Sequence, residues 1–229
     1  MPRAFFPTLF FGKACNELEL RELRRLATQV YPRPGETIFS EGDLADNAFG
    51  LSQGVVRLYK LLPDGRRQIL AFALPGDFLG MPLADRHTFS ADAIGEVVLC
   101  RFVRSDLTKF IRSSPDVMWL MVELATRELH MAQDQLLLLG NASAEEKVTM
   151  FLVGWRNRLA RLSAISETVP LPMRRQDIAD FLGLKLETIS RTLAKLEQKS
   201  VIRLVPNGVF LTDLAQTLLM IGASYQPNI

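Results

Sequence analysis

The spacing of apolar residues changes twice along this chain of 229 residues. From about Tyr31 to Phe102 it reads as short strands. "YPRPGETIF", "NAFGLSQGVVRLYKLL", "RRQILAFALPGDFLG" and "VVLCRF" are rich in β-branched and aromatic residues, which suit a pleated, half-buried surface. PG, EGD, PDG and PGD stand between them, each a turn former with its own backbone reason. Asp64-Gly65, between "VVRLYKLL" and "RRQILAF", reads as a hairpin tip. So many closely spaced strands predict a compact antiparallel barrel or roll.

Beyond Ser114-Pro115, an N-cap followed by proline at the first helical position, the period becomes helical. Met118, Val122, Ala125, Leu129, Ala132, Leu136 and Leu139 recur at alternating steps of four and three, the spacing of a helix–helix seam. A second stripe, Val117, Leu120, Met121, Leu124 and Met131, lies beside it. A helix with two apolar faces needs two covers. The simplest solution packs one face on the β-roll and pairs the other with the same helix of a second subunit; the alternative buries the helix within one chain. Gly140-Asn141 supplies a stop. Ser143 and Glu146 then form a capping box that opens the next helix. The joint at 140–142 has almost no linker and can act as a hinge.

The last third contains "RRQDIADFLGLKLETISRTLAKLEQKSVIRLVPNGVFL". Gln176 to Leu182 reads as a helix with Ile178, Phe181 and Leu182 inward, Gly183 breaks it, and a second helix follows. Small Ala179 lets the two helices approach, Gly183 tolerates the turn, and Ile189 plugs the angle, the pattern of a helix-turn-helix. "VIRLV" and "VFL" around Asn207-Gly208 read as two strands of a wing. In the second helix Ile189, Leu193 and Leu196 form the inner stripe, while Glu187, Ser190 and Arg191 share another face. The early residues of such a helix meet base edges in the major groove. Arg191 suits guanine O6 and N7, Glu187 a cytosine amino group, and Ser190 either partner or a thymine methyl. Arg174, Arg175, Lys185, Thr188, Lys195 and Lys199 are the candidates for neutralising or positioning phosphates. The alternative for the exposed face is a solvated surface with Glu187 and Arg191 as an i,i+4 ion pair.

Charge sharpens this picture slightly. Residues 141–229 carry 11 Lys/Arg against 8 Asp/Glu, whereas residues 1–140 carry 16 against 17. The basic excess therefore accompanies the helix-turn-helix, as a polyanionic partner requires. No apolar run approaches the ~20 residues of a membrane span. The opening "MPRAFFPTLFF" is short, broken by Pro7, and lacks a cleavage site; it reads as a leader that packs on the body. Two distant cysteines, Cys15 and Cys100, fit a reducing compartment rather than a disulfide framework. Both read as small buried hydrophobes, with a thiol redox role as the alternative. A cytoplasmic protein without membrane contact is expected. Two histidines, His87 and His130, cannot furnish a cupin-like metal centre, and no nucleophile–base pairing or phosphate-binding glycine loop stands out. An enzyme is not expected. A rival class is a module whose helix-turn-helix contacts only protein, which salt dependence would separate from DNA binding.

In order along the chain, β-roll, long helix and winged helix-turn-helix resemble the catabolite activator/FNR family of bacterial transcription regulators. "ETISRTLAKLEQKSVI" is similar to the recognition helix of its FNR and FixK branch, and "GKACNELELRELRRLA" looks closest to FixK-type members. The resemblance implies that Glu187, Ser190 and Arg191 read TTGA-N6-TCAA-like palindromes. It also implies a homodimer, double-stranded DNA and RNA polymerase as partners, and activation of genes for low-oxygen respiration and nitrogen metabolism. The roll hairpin tip near Asp64 is the candidate polymerase contact by the same analogy. Cyclic AMP sites of this family use a Glu and an Arg-Ser pair; "PGDFLGMPLADRHTFSADA" offers Asp77, with His87-Thr88 near the Arg-Ser position and Arg86 close by. An iron–sulfur cluster needs four thiolates, and the clustered N-terminal cysteines of FNR are absent. Haem would need axial ligands, yet His87 reads as solvated and His130 as lying at the edge of the seam. No cofactor is therefore expected, with thiol oxidation, cyclic nucleotide or haem as the alternative effectors. The expected class is α+β: an N-terminal antiparallel, cyclic-nucleotide-binding-like β-roll over residues 1–113, a dimerisation helix over 114–140, and a winged helix-turn-helix over 141–229.

Overall fold

The computed structural model describes residues 10–12, 14–80, 85–140, 142–162 and 168–212, apart from the side chains of residues 137 and 138. Most of the leader, Asn141 and the tail beyond residue 212 lie outside them. The chain divides into two compact units, Met1–Ala125 and Thr126–Ile229.

The first unit is built on an antiparallel sheet. Its strands are β1 (Ala27–Val30), β2 (Thr37–Phe39), β3 (Asn47–Leu61), β4 (Arg67–Ala73), β5 (Phe78–Leu79) and β6 (Ser90–Val103). They run in the order β1-β6-β3-β4, with β2 also on β6 and β5 on β3. β3 and β6 are long because they pair from Asn47↔Val103 to Tyr59↔Ser90, bending at two register shifts on the way. The predicted hairpin tip is present. Leu62 and Arg66 close the loop, and the Asp64 carboxylate accepts from the Arg66 backbone N–H at 3.0 Å and its Nε at 2.7 Å.

Helix α1 (Glu17–Leu26) precedes β1, and Asn16 and Glu19 cap it reciprocally. Helix α2 (Arg104–Ser113) follows β6 and leads into the long helix α3 (Pro115–Leu139). Sequence reasoning passed over α2. Its N-cap is Val103, which offers no side-chain acceptor, so the usual start signal is missing. Leu107, Phe110 and Ile111 of α2 join Phe11, Phe78, Phe102 and, from α3, Val117, Met121 and Leu124 in one buried cluster. Val117, Leu120, Met121 and Leu124 of the second apolar stripe of α3 therefore do pack on the roll, whereas Met131 is half-buried and lies outside this cluster. Each buried side chain of the cluster contributes about 1.5–3 kcal/mol on burial. A second cluster, including Phe39, Phe49, Leu51, Val56, Leu79 and Leu99, fills the rest of the roll.

Opposite each other on β3 and β6, Arg57 and Asp92 form a two-pronged ion pair at 2.8 and 2.5 Å, with both side chains largely buried. Removing one partner of such a pair strands the other charge, at a cost of about 3–5 kcal/mol.

The second unit holds the C-terminal half of α3, α4 (Ala144–Ala160), β7 (Thr168–Pro170), α5 (Arg175–Leu182), α6 (Leu186–Gln198), β8 (Ile202–Val205) and β9 (Gly208–Leu211). The capping box at the start of α4 is present: Glu146 N–H donates to Ser143 Oγ and Ser143 N–H to Glu146 Oε2. Among the described residues, no helix is long and apolar enough to cross a membrane.

One expectation about the roll is corrected. His87 is not solvated; it is only 7% exposed and stacks on Phe39 with ring centroids 3.8 Å apart. A Cβ on Gly80 would come within 2.9 Å of its Cε1, so the ring is closely walled. Burial lowers its pKa below the ordinary 6.5, with Asp43 opposing the shift. A histidine depressed in this way stabilises the fold fully above its unfolded pKa. That contribution is lost as pH falls through the folded value, because the unfolded chain binds more protons. We expect the urea midpoint to decline as pH drops below about 6.5, and His87→Gln to flatten that decline. An unchanged pH profile in the variant would assign the decline to other groups.

Candidate nucleic-acid interface

Helices α5 and α6 pack at a turn whose geometry follows from three residues. Ala179 is fully buried, as is Ile189, which fills the angle between the helices. Gly183 lies in the left-handed region at φ 63°, where a side chain is strained, and both its N–H and that of Leu184 return to the Ala179 carbonyl. At the other end of α5, the Arg174 N–H donates to the buried Asp177 carboxylate at 2.9 Å, which caps the helix. Ile178, Phe181 and Leu182 face inward as read from sequence.

The wing differs from the expectation in its turn. The two loop residues are Pro206 and Asn207, and Gly208 belongs to β9, paired with Val205. Asn207 takes the positive φ of 57°, which fits proline then asparagine at the centre of a type II turn. The reason lies on the neighbouring strand. β7, which sequence reasoning missed, pairs with β9 to make a three-stranded sheet ordered β7-β9-β8. A Cβ at Gly208 would meet the Val169 carbonyl oxygen at 2.6 Å, so this glycine is needed for close strand approach. Trp155 of α4 donates to the Pro170 carbonyl at 2.8 Å and ties that sheet to the helices.

α6 is the most asymmetric element of the unit. Ile189, Thr192, Leu193 and Leu196 are buried, while Glu187, Arg191, Lys195 and Lys199 are exposed and Ser190 and Thr188 are half-buried. Arg174, Arg175 and Lys185 are also exposed, around the start of α5 and the turn. Glu187 and Arg191 do form the i,i+4 ion pair, at 2.8 Å, yet remain 73% and 72% exposed. The pair leaves the guanidinium's outer edge and the carboxylate open to a further partner. Lys195 and Lys199 stand apart from the other cations: both ammonium groups are held by Glu145 of α4, Lys199 at 2.5 Å.

The end of α3 is built into this unit. Gln135 Nε2 donates to the Phe181 carbonyl at 3.0 Å, and buried Lys147 donates to the Leu139 carbonyl at 3.1 Å. Along α3, the seam residues Met118, Val122, Ala125, Leu129, Ala132 and Leu136 are all exposed and Leu139 is half-buried. Leu129 is 58% and Leu136 72% open, and neighbouring Trp119 is 66% open. Val117, Met121 and Leu124 of one stripe are thus buried, while six of the seven seam positions are exposed.

The groups considered for an effector are engaged elsewhere. Asp77 accepts from Leu74 N–H at 2.8 Å, Arg86 donates to the Gly42 carbonyl at 2.6 Å, and His87 stacks on Phe39. Residues 81–84 of that stretch lie outside the described residues. Cys15 is half-buried, and burial followed by Glu19 and Asp116 pushes its thiol up to about 11. Cys100 is fully buried, 3.5 Å from Ser52 Oγ. Among the described residues no group of three or more His, Cys, Asp or Glu is placed to hold a metal ion.

Residues 29–114 match the cyclic nucleotide-binding domain family and residues 146–216 the Crp-like helix-turn-helix domain. The transcriptional activatory protein AadR of Rhodopseudomonas palustris is 56% identical over 202 residues, covering 87% of this chain and 84% of that protein. The nitrogen fixation regulation protein FixK of Bradyrhizobium diazoefficiens is 53% identical over 91% of this chain and 90% of its own length. The solved structure of FixK2 from Bradyrhizobium japonicum matches with a TM-score of 0.81 at 35% identity, covering 87% of this chain and 99% of that one. Bare recognition-helix face, glycine turn, wing and relatives agree. This chain belongs to the CRP/FNR family of transcription regulators, in its FixK-type branch.

Proposed function

We propose that this regulator is a homodimeric activator that reads a palindromic operator and needs no small-molecule effector to do so. The observation that carries the reading is α6 itself. One face is fully buried, and the opposite face holds out Glu187, Ser190 and Arg191 at the spacing of base-reading side chains. Arg174, Arg175, Lys185 and Thr188 surround that face as the groups that fix phosphate register. The bare α3 seam supports the dimer. Six exposed apolar or small positions in a row would each gain burial against the same helix of a second copy, and two-fold symmetry would then present two recognition helices about one DNA turn apart.

Effector independence is supported by Asp77, Arg86 and His87, whose polar or ring contacts within the roll leave no assembled phosphate cradle among them. A redox switch at the cysteines is disfavoured by their burial and by the raised Cys15 pKa, since the thiolate is the reactive form. The names of the relatives, an activatory protein and nitrogen fixation regulators, support activation and a role in nitrogen metabolism; genes for low-oxygen respiration are the further class that the FixK resemblance implies. RNA polymerase in the cytoplasm is the second partner, with the β3–β4 tip near Asp64 as its candidate contact.

The test is a titration in air of metal-free, nucleotide-free protein against a duplex carrying TTGA and TCAA half-sites, beside a scrambled duplex. Tight binding to the palindrome alone is the expected result. Binding that appears only after adding cyclic nucleotide, haem or a thiol reagent would replace the effector-free reading by an effector-gated one. Arg191→Ala should lose about 1–3 kcal/mol per half-site and relax the guanine preference; unchanged binding would remove Arg191 from the base readers. Leu129→Glu should yield monomers at micromolar concentration, with Trp119 fluorescence shifting toward the solvent-exposed value. Intact dimers with unchanged emission would mean that another surface joins the subunits.

A further inference from the structure

The C-terminal end of α6 carries two cations that the rest of its exposed face does not explain. Lys195 lies in the last turn and Lys199 is the C-cap residue four positions on, so both stand at that end of the helix. Both reach across to a single carboxylate, that of Glu145 in the first turn of α4. Each oxygen of Glu145 takes one ammonium, and the carboxylate is the least exposed of the three groups, at 22% against 56% and 46%. Surface pairs of this kind contribute little to stability, typically about 0–1 kcal/mol each. Their effect on charge is larger. Two lysines that would each neutralise a phosphate are already neutralised in part, and they sit on the helix that meets DNA.

We propose that Glu145 is a specificity-determining residue: it holds Lys195 and Lys199 away from the phosphate backbone and so limits sequence-independent attraction to DNA. The inference rests on the DNA-binding reading above. Phosphate contacts carry no sequence information and supply most non-specific affinity. A carboxylate that occupies two lysines therefore subtracts from binding everywhere, while the contacts of Glu187, Ser190 and Arg191 with bases are untouched. On this proposal Lys195 and Lys199, read from the sequence as phosphate-positioning candidates, are held back from that role by Glu145. The structural reason is a partner distant in the chain but close in the fold.

The experiment measures affinity over a salt series, using the palindromic and scrambled duplexes and the full chain. Glu145→Gln should steepen the dependence of log K on log salt by about 0.9 for each lysine released. It should tighten binding to the scrambled duplex and shrink the ratio between the two duplexes. Lys195→Gln with Lys199→Gln should leave the slope of the parent nearly unchanged, and adding both to Glu145→Gln should return the slope to the parental value. An unaltered slope in Glu145→Gln overturns the proposal, as does a full two-charge loss of slope when the lysines are removed from the parent. If Glu145→Gln does not fold, as judged by circular dichroism, the lysine double variant decides alone by the same two outcomes. A parent that shows no preference for the palindrome would fail the functional reading instead, which distinguishes the two.

Discussion

The second unit depends on how the ends of its helices are satisfied. A helix terminus leaves carbonyls without partners and carries a partial negative charge. Lys147 brings a buried ammonium to the Leu139 carbonyl at the end of α3, and a buried charge must be paired. Gln135 of α3 in turn supplies an N–H to the Phe181 carbonyl near the end of α5. A Cβ at Gly183 would lie 3.5 Å from Leu139. Three helices are thereby welded at one point, and α6 takes its direction from them through Ile189, Leu193 and Leu196. The joint at 140–142, read from the sequence as able to act as a hinge, is spanned by the contact of Lys147 with the Leu139 carbonyl.

The same economy organises the first unit. α3 needs its Val117, Met121 and Leu124 stripe covered, and Phe11, Phe78 and Phe102 cover it with rings packed edge and face. Arg57 and Asp92 then neutralise each other across the two longest strands, so the sheet encloses a charge pair without an isolated charge.

What could be read from sequence was local. The two stripes of α3, the Ser143–Glu146 box, the Asp64-Gly65 tip and the Gly183 turn all depend on residues within a few positions of one another. What escaped was settled by distant partners. β7 is only three residues long and exists because β9 lies beside it. The wing turn is centred on Pro206-Asn207 rather than Asn207-Gly208 because Gly208 is drawn into β9, paired with Val205 on one side and Pro170 on the other. His87 looked like a loop residue until Phe39 was placed against it. Of the candidate site, the exposed triad on α6 was legible from helical spacing. The tie from Glu145 to Lys195 and Lys199 was not, since nothing in the sequence of α6 points to α4.

The ion pair between Glu187 and Arg191 gives α6 an internal competitor. In the proposed reading, each base pair that the helix samples must offer these side chains more than they already offer each other. A site with well-placed guanine and cytosine edges takes both groups at once, and the exchange is favourable. A wrong site gives them no reason to part, so the pair stays closed and the helix slides on with its reading groups occupied. Discrimination then arises from an exchange that most sequences never trigger, and passage along non-cognate DNA stays quick because little has to be undone.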